Sequence, residues 1–338
     1  RPRSNMLGRF MAVSAGKRWR HVLPWAISIA LLVYVFGWAT DWQRLRMAAN
    51  AANVPAFVAL AAADRLAFFL VWTLLQALAL RSFVTHVPIR SVVAVRGGSE
   101  LLRTISNPLS DAAFFVGLGQ LTGQRFDAVL ASALVPVICH FSVMLFMMTL
   151  ALPTLPGGIA ANRDVAITAG VLWAILITIT VGVRLSTTRG WRFPGARGIR
   201  SWVERFPLST LRPFLFGFVA LVLFDVTIQK LASAAFGISI PWLALAARIP
   251  VLYLALSIPT LGNFGTRELT WAALFADYGD RDTLIAYALA TNAVFLLINL
   301  ALGLIFLPRA LQLLAAVRRA HRKGEALPEP LLHDPTDL

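Results

Sequence analysis

Apolar residues in this chain come in long, nearly unbroken runs. They occupy residues 21–40, 54–80, 127–152, 164–185, 211–236, 241–258 and 283–307. A helix needs about 20 such residues to cross a hydrocarbon core of about 30 Å, and these runs approach or exceed that length. Two weaker segments lie between them. Segment 87–105 carries Arg90, Arg96, Glu100 and Arg103, and segment 107–123 is apolar and opens with Asn107-Pro108. Segment 260–280 has the same character as 107–123. The pattern predicts an all-α polytopic membrane protein. Composition agrees: the chain is 58% hydrophobic and 14% charged, against about 25% charged in soluble domains. The polar stretches 1–21, 185–212 and 309–338 are too short to form an ordinary soluble domain.

The runs repeat. A shift of 156 positions lays Asn107 on Asn263, Gly123 on Gly279 and Arg125 on Arg281. It also lays 54–80 on 210–236 and 85–102 on 241–258. Residues 121–125 and 277–281 then match as turns, each ahead of a long apolar run. A duplicated unit accounts for this coincidence.

Arginine placement sets the expected topology. The formal net charge is +15, and the basic residues cluster beside apolar runs. The N-terminal tail, the loop 184–212 and the segment 309–323 are all rich in Arg, so all three are expected on the cytoplasmic side. Such clusters suit topology and anionic headgroups, so nucleic acid is not an expected partner. Run 22–40 lacks a small-x-small cleavage site and reads as a retained first helix. Arg1-Pro2-Arg3 is left out of the fold reading.

Equal parity of crossings on each side of the central loop follows if 87–123 and 241–280 are hairpins entering from opposite faces. The expected fold is therefore an inverted internal repeat with two re-entrant or broken helical hairpins. Six or ten full crossings both satisfy the parity. The divisions are a basic tail 1–21, a first repeat 22–185 with hairpin 87–123, a basic loop 186–210, a second repeat 211–308 with hairpin 241–280, and a tail 309–338. That tail is basic at first and then, over 324–338, reads as disordered.

Chemistry concentrates where the apolar pattern breaks. Pro259, Gly262 and Gly265 interrupt a hydrophobic stretch, and Arg267-Glu268 follows at once. In a membrane such a break is tolerated where it is buried in protein or lines a wet cavity. A charge at helix centre costs about 2.5–3.5 kcal/mol on insertion scales, so intramembrane charges mark sites or partners. Asp64-Arg65 lies within 54–80, Arg248 within 241–258, and Asp225 and Lys230 within 211–236. Arg96, Glu100 and Arg103 are spaced to share one helix face. His140 reads as a core histidine, and Trp19, Trp25, Trp38 and Trp42 as interfacial anchors. The single Cys139 excludes a disulfide or a cysteine metal site within one chain. No histidine spacing suggests a metal, and no cofactor is expected.

Gly265-Thr266-Arg267-Glu268 resembles the G-x-R-E signature of the lysylphosphatidylglycerol synthase transmembrane region, the flippase half of bacterial multiple peptide resistance factors and of many stand-alone proteins of this length. The family motif usually reads P-G-G-x-G-x-R-E; here Pro259 stands two residues further away and the double glycine is absent. The resemblance spans about 50–320. Asn107-Pro108-Leu109-Ser110-Asp111 keeps the acid and turn of the family's first-half pattern, with Phe114 and Phe115 where its arginine stands. The resemblance implies a lipid flippase in the bacterial cytoplasmic membrane, with both termini cytoplasmic. It implies no aminoacyl transfer, since the soluble synthase domain is absent from this sequence.

The expected function is movement of a phospholipid or lipid-linked headgroup across the membrane, without enzymatic chemistry. The residues expected to bind the anionic substrate are Asp64, Arg65, Arg96, Glu100, Arg103, Asn107, Asp111, Arg248, Gly262, Asn263, Gly265, Arg267 and Glu268. Arginines would clamp a phosphate, and Glu268, Asp111 and Glu100 would hold the arginines or bind a cationic or hydroxylated headgroup. Membrane lipids are the expected partners, and a homo-oligomer is allowed. Two other classes compete: a polytopic transferase with a lipid or polyprenyl-phosphate donor, and a secondary transporter of a small anion. The short, weakly charged loops 41–53 and 153–163 offer a transferase little room for an acceptor.

Overall fold

The computed structural model describes residues 52–124, 126–189, 208–257, 260 and 263–323, with the isolated positions 43, 47 and 50. The run 21–40, the basic tail 1–21, most of the loop 186–210, Pro259, Gly262 and the segment 324–338 lie outside the described residues.

Every regular element among the described residues is helical. The order is α1 (Val54–Phe83), α2 (Ile89–Arg103), α3 (Asn107–Thr122), α4 (Phe126–Ala151), a short α5 (Gly158–Ala161), α6 (Arg163–Arg189), α7 (Arg212–Ala234), α8 (Trp242–Ala255), α9 (Thr266–Leu274) and α10 (Arg281–Lys323). Five helices, α1, α4, α6, α7 and α10, are long and apolar enough to cross a membrane. Their outer faces are apolar at helical spacing. Ile167, Val171 and Ile175 of α6 are exposed, as are Leu66, Leu70 and Leu74 of α1. In water such stripes would be a liability; in a bilayer they are the solvated face.

Two expectations change. The run 241–258 forms a helix of 14 residues, which rises about 21 Å and falls short of a full crossing. Pro241 caps its start and a turn at Leu256-Ser257 ends it. The run 283–307, by contrast, belongs to a helix of 43 residues that is about 65 Å long. It continues through Pro308 and the basic residues to Lys323, so 309–323 is part of α10 and not a tail. Proline removes one helical hydrogen bond, and packing beyond it compensates. Val317 is buried against the α3 cluster, and Arg318 Nη2 donates to Gln120 Oε1 at 3.0 Å. At the other end Asp280 caps α10. Against the upward push of its partial burial, hydrogen bonds from Thr283 hold its carboxyl below the usual range.

A shift of 156 places α1 on α7, α2 on α8, α3 on α9 and α4 on α10, with starts offset by one to three residues. The packing partners exchange in the same way. α2 lies on α10 and α8 on α4; α7 lies on α4 and α1 on α10; α1 and α7 lie on each other. The turns are less alike: Gly123 adopts a left-handed conformation and Gly279 does not.

The closest helix approach is between α2 and α10. A Cβ on Gly303 would lie 2.7 Å from the Leu101 backbone nitrogen, and one on Gly97 would strike Phe306. Small residues at such crossings let backbones meet where lipid supplies no hydrophobic drive. In the largest apolar cluster among the described residues, Trp271, Tyr287, Phe57 and Phe236 pack edge to face and tilted.

Candidate functional site

α2 is the polar helix of the set. Arg96, Glu100 and Arg103 fall at i, i+4 and i+7 and face α1 and α3. Glu100 is fully buried and is held by three arginines. Arg65 of α1 pairs with its Oε2, Arg103 Nε donates to the same oxygen at 2.7 Å, and Arg96 Nε lies 3.2 Å from Oε1. Asp111, in the first turns of α3, accepts from Arg96 Nη1 at 2.9 Å and Arg103 Nη2 at 2.8 Å. Arg103 Nη1 also donates to Asn107 Oδ1 at 3.2 Å, and Arg65 Nε to Asn299 Oδ1 at 2.5 Å. Three guanidinium groups against two carboxylates leave a net positive site. Removing Glu100 would leave Arg65 without a carboxylate partner and Arg96 and Arg103 with Asp111 alone, the costly case for a buried ion pair.

The second half contributes from α9 and the strand of chain before it. Asn263 has φ 63°, the left-handed region that Asn tolerates better than most residues. Its Oδ1 accepts from Asn107 Nδ2 at 3.2 Å. This bond joins the start of α3 to the approach of α9. Arg267 follows on α9. It is 6% exposed, its guanidinium lies 5.0 Å from the Phe295 ring centroid, and its Nε has no hydrogen-bond partner. Among the described residues Arg267 forms no ion pair.

These groups line one cavity of about 450 Å³. Arg65, Arg96, Arg103 and Arg267 reach it, with Asp111 and the pair Asn107 and Asn263. Its far wall is aromatic: Phe68, Trp72, Phe141 and Tyr253 stand around His140.

Seven of the residues expected from the sequence therefore meet in one place: Arg65, Arg96, Arg103, Asn107, Asp111, Asn263 and Arg267. Glu100 stands behind them, as the anchor of the arginines. Asp64, Arg248, Gly265 and Glu268 do not join the cavity wall. Arg248 is a structural residue. Its Nη1 donates to the Leu274 carbonyl at 2.6 Å, closing the end of α9, and its Nη2 meets Asn162 Oδ1 at 3.0 Å and Asp277 Oδ2 at 2.9 Å. Its acidic partner, Asp277, stands 29 residues on in the sequence and outside its own helix. Glu268 and Gly265 form a helix cap: Gly265 N–H donates to Glu268 Oε2 at 2.6 Å, and Asn292 Nδ2 to Oε1 at 3.3 Å. Asp64 is buried in a separate network. Gly262 lies outside the described residues.

That network was not anticipated. Gln229 Nε2 lies 3.3 Å from Asp225 Oδ1 and 3.5 Å from Asp64 Oδ2, so one amide bridges both carboxylates. Tyr287 O–H donates to Gln229 Oε1 at 2.5 Å, and Tyr253 O–H to Asp225 Oδ2 at 3.0 Å. The sequence signal was present as Asp225 and Gln229 at i, i+4 on one apolar helix. Lys230, five residues from Asp225, lies on the exposed face and takes no part in the network.

Neither protein-family models nor curated proteins give a match to this chain.

Proposed function

We propose that the protein is a lipid flippase of the bacterial cytoplasmic membrane, carrying the phosphate-bearing headgroup of a phospholipid or lipid-linked substrate through this cavity. The observation that carries the reading is Arg267: a nearly buried cation that forms no ion pair among the described residues and whose Nε lacks a hydrogen bond, facing a cavity also lined by three arginines. Asp64, Asp225 and Glu268 act on it only from beyond ion-pair distance, and a phosphate in the cavity would give it a close anionic partner. The N-terminus of α3 opens at Asn107 and Pro108 on the cavity wall, and a helix N-terminus favours an anion.

The repeat supports a transport reading. Helix pairs α2–α3 and α8–α9 act as two re-entrant hairpins. Their helices of 15, 16, 14 and 9 residues rise only about 14–24 Å each. The two hairpins enter from opposite faces and meet at Asn107 and Asn263, an inverted repeat around a central site. Arg96, Arg103 and Arg267 clamp the phosphate, and acyl chains remain in lipid beside the exposed Phe141. The resemblance of residues 265–268 to the lysylphosphatidylglycerol synthase transmembrane region points the same way.

Purified protein in proteoliposomes, carrying fluorescent phospholipids and assayed by outer-leaflet quenching, tests the proposal. Faster lipid exchange between leaflets supports it. Uptake of a soluble anion without lipid exchange would instead favour a small-anion carrier.

A further inference from the structure

We infer that the headgroup this cavity accepts carries an uncharged, hydroxylated ring next to its phosphate, as in a glycosyl-phosphate or inositol-phosphate lipid, and not an ammonium group. The inference rests on the anion-binding reading above and specifies what lies beyond the phosphate.

The cavity has two unlike sides. One is the arginine cluster. On the other, two buried side-chain nitrogens lack a hydrogen-bond partner among the described residues: Gln76 Nε2, in a residue 4% exposed, and His140 Nε2, in a residue 5% exposed. Both residues line the cavity. An unsatisfied buried polar atom costs on the order of 1–3 kcal/mol, so each calls for a group that the protein itself does not provide. A hydroxyl suits both, since it donates and accepts. Around them stand Phe68, Trp72 and Tyr253. The Trp72 and His140 ring centroids are 5.3 Å apart, and those of His140 and Tyr253 6.3 Å. Such a wall offers apolar contact to the C–H faces of a ring while the side-chain nitrogens take its hydroxyls. Asn292 and Asn299 line the same cavity, adding neutral polar groups. A volume of about 450 Å³ lies within the range of about 300–1,000 Å³ typical of small-molecule sites.

Among the described residues an ammonium group meets no free acid in this cavity. Asp111 already binds Arg96 and Arg103. Glu100 is shared by three arginines. Glu268 is engaged by the Gly265 backbone and Asn292. Asp225 accepts from Tyr253 and Gln229, and neither it nor Asp64 lines the cavity. The cations Arg65, Arg96, Arg103 and Arg267 would repel a positive headgroup at short range.

The test is a headgroup series on the full chain in nanodiscs. Short-chain phosphatidylinositol and a short isoprenyl phosphate sugar represent the two sources of a ring. Short-chain phosphatidylglycerol, phosphatidylethanolamine and phosphatidylcholine are the comparators. Binding is read by calorimetry. At least one ring-bearing lipid is expected to bind on the order of tenfold more tightly than phosphatidylglycerol, and more tightly still than the two ammonium lipids. In Gln76→Leu and His140→Phe that ratio is expected to collapse towards one. Equal affinity across the phosphate lipids would overturn the inference while leaving the anion site standing. Tighter binding of phosphatidylcholine would overturn it in favour of an aromatic ammonium cage. Binding of none of the lipids would remove both this inference and the anion-binding reading. The wild-type series decides the matter even where a variant fails to fold.

Discussion

Asn107 and Asn263 are 156 positions apart, and their side chains are joined by a hydrogen bond of 3.2 Å. That separation is the period at which the two halves of the sequence align. Equivalent positions of a repeat touch each other only where the halves meet. On the same shift Asp111 falls on Arg267: one half offers an acid and the other an arginine, and both reach the cavity. Residues 156 positions apart therefore reach the same site from both halves of the chain.

Asn263 holds a left-handed backbone. Asn263→Gly and Asn263→Val both remove the bond to Asn107, but only valine must strain. We expect Asn263→Val to be less stable than Asn263→Gly by about 1–2 kcal/mol. Thermal unfolding of the two variants in one detergent checks the difference. Equal stabilities would mean that the chain before α9 is free to relax.

Glu100 and Asp111 bind overlapping sets of arginines but differ in exposure. The Glu100 side chain is inaccessible, whereas that of Asp111 is 43% exposed. Glu100→Gln is expected to cost on the order of 3–5 kcal/mol, the loss typical when one partner of a buried pair is removed. Asp111→Asn should cost about 1 kcal/mol or less, since water screens the arginines there. Denaturation monitored by tryptophan fluorescence ranks the two, and the reverse order would contradict the assignment of Glu100 as anchor.

Gly303 faces the Leu101 backbone, which cannot swing aside as a side chain can. Gly303→Ala should force α10 away from α2 and destabilise by about 1–3 kcal/mol. Gly170, with open space around its added Cβ, is the control, and Gly170→Ala should be neutral or slightly stabilising. Melting temperatures of both variants test the pair.

Arg248 ties α8 to the end of α9 and to Asn162 beside α5. Arg248→Ala leaves the Leu274 carbonyl and the Asp277 carboxylate without this donor. It should lower stability by about 1–3 kcal/mol without removing a group from the cavity. Reduced lipid affinity at unchanged stability would show that Arg248 had been misassigned.

Much of this arrangement was legible before the structure. The spacing of Arg96, Glu100 and Arg103 on one helix face follows from helical geometry alone. The kinship of Asn107 and Asn263 follows from the 156-residue shift. What the sequence hid were partners across helices. Nothing near Arg248 in its own helix shows that Asp277 folds back to it, and Gln229 carries no charge to draw notice beside Asp225. The full length of α10 was hidden for another reason. Pro308 and the basic residues after it read locally as a terminus, and only packing against α2 and α3 carries the helix onward. Hydropathy also overstated 241–258, because burial inside protein and burial in lipid select the same residues.

The central claim is that Arg267 meets a lipid phosphate. The most direct measurement is lipid translocation in proteoliposomes by wild type and Arg267→Ala at matched reconstitution. Arg267 forms no ion pair among the described residues, so Arg267→Ala should remain folded; translocation should fall by on the order of tenfold or more. Full translocation by a folded Arg267→Ala protein would contradict the account.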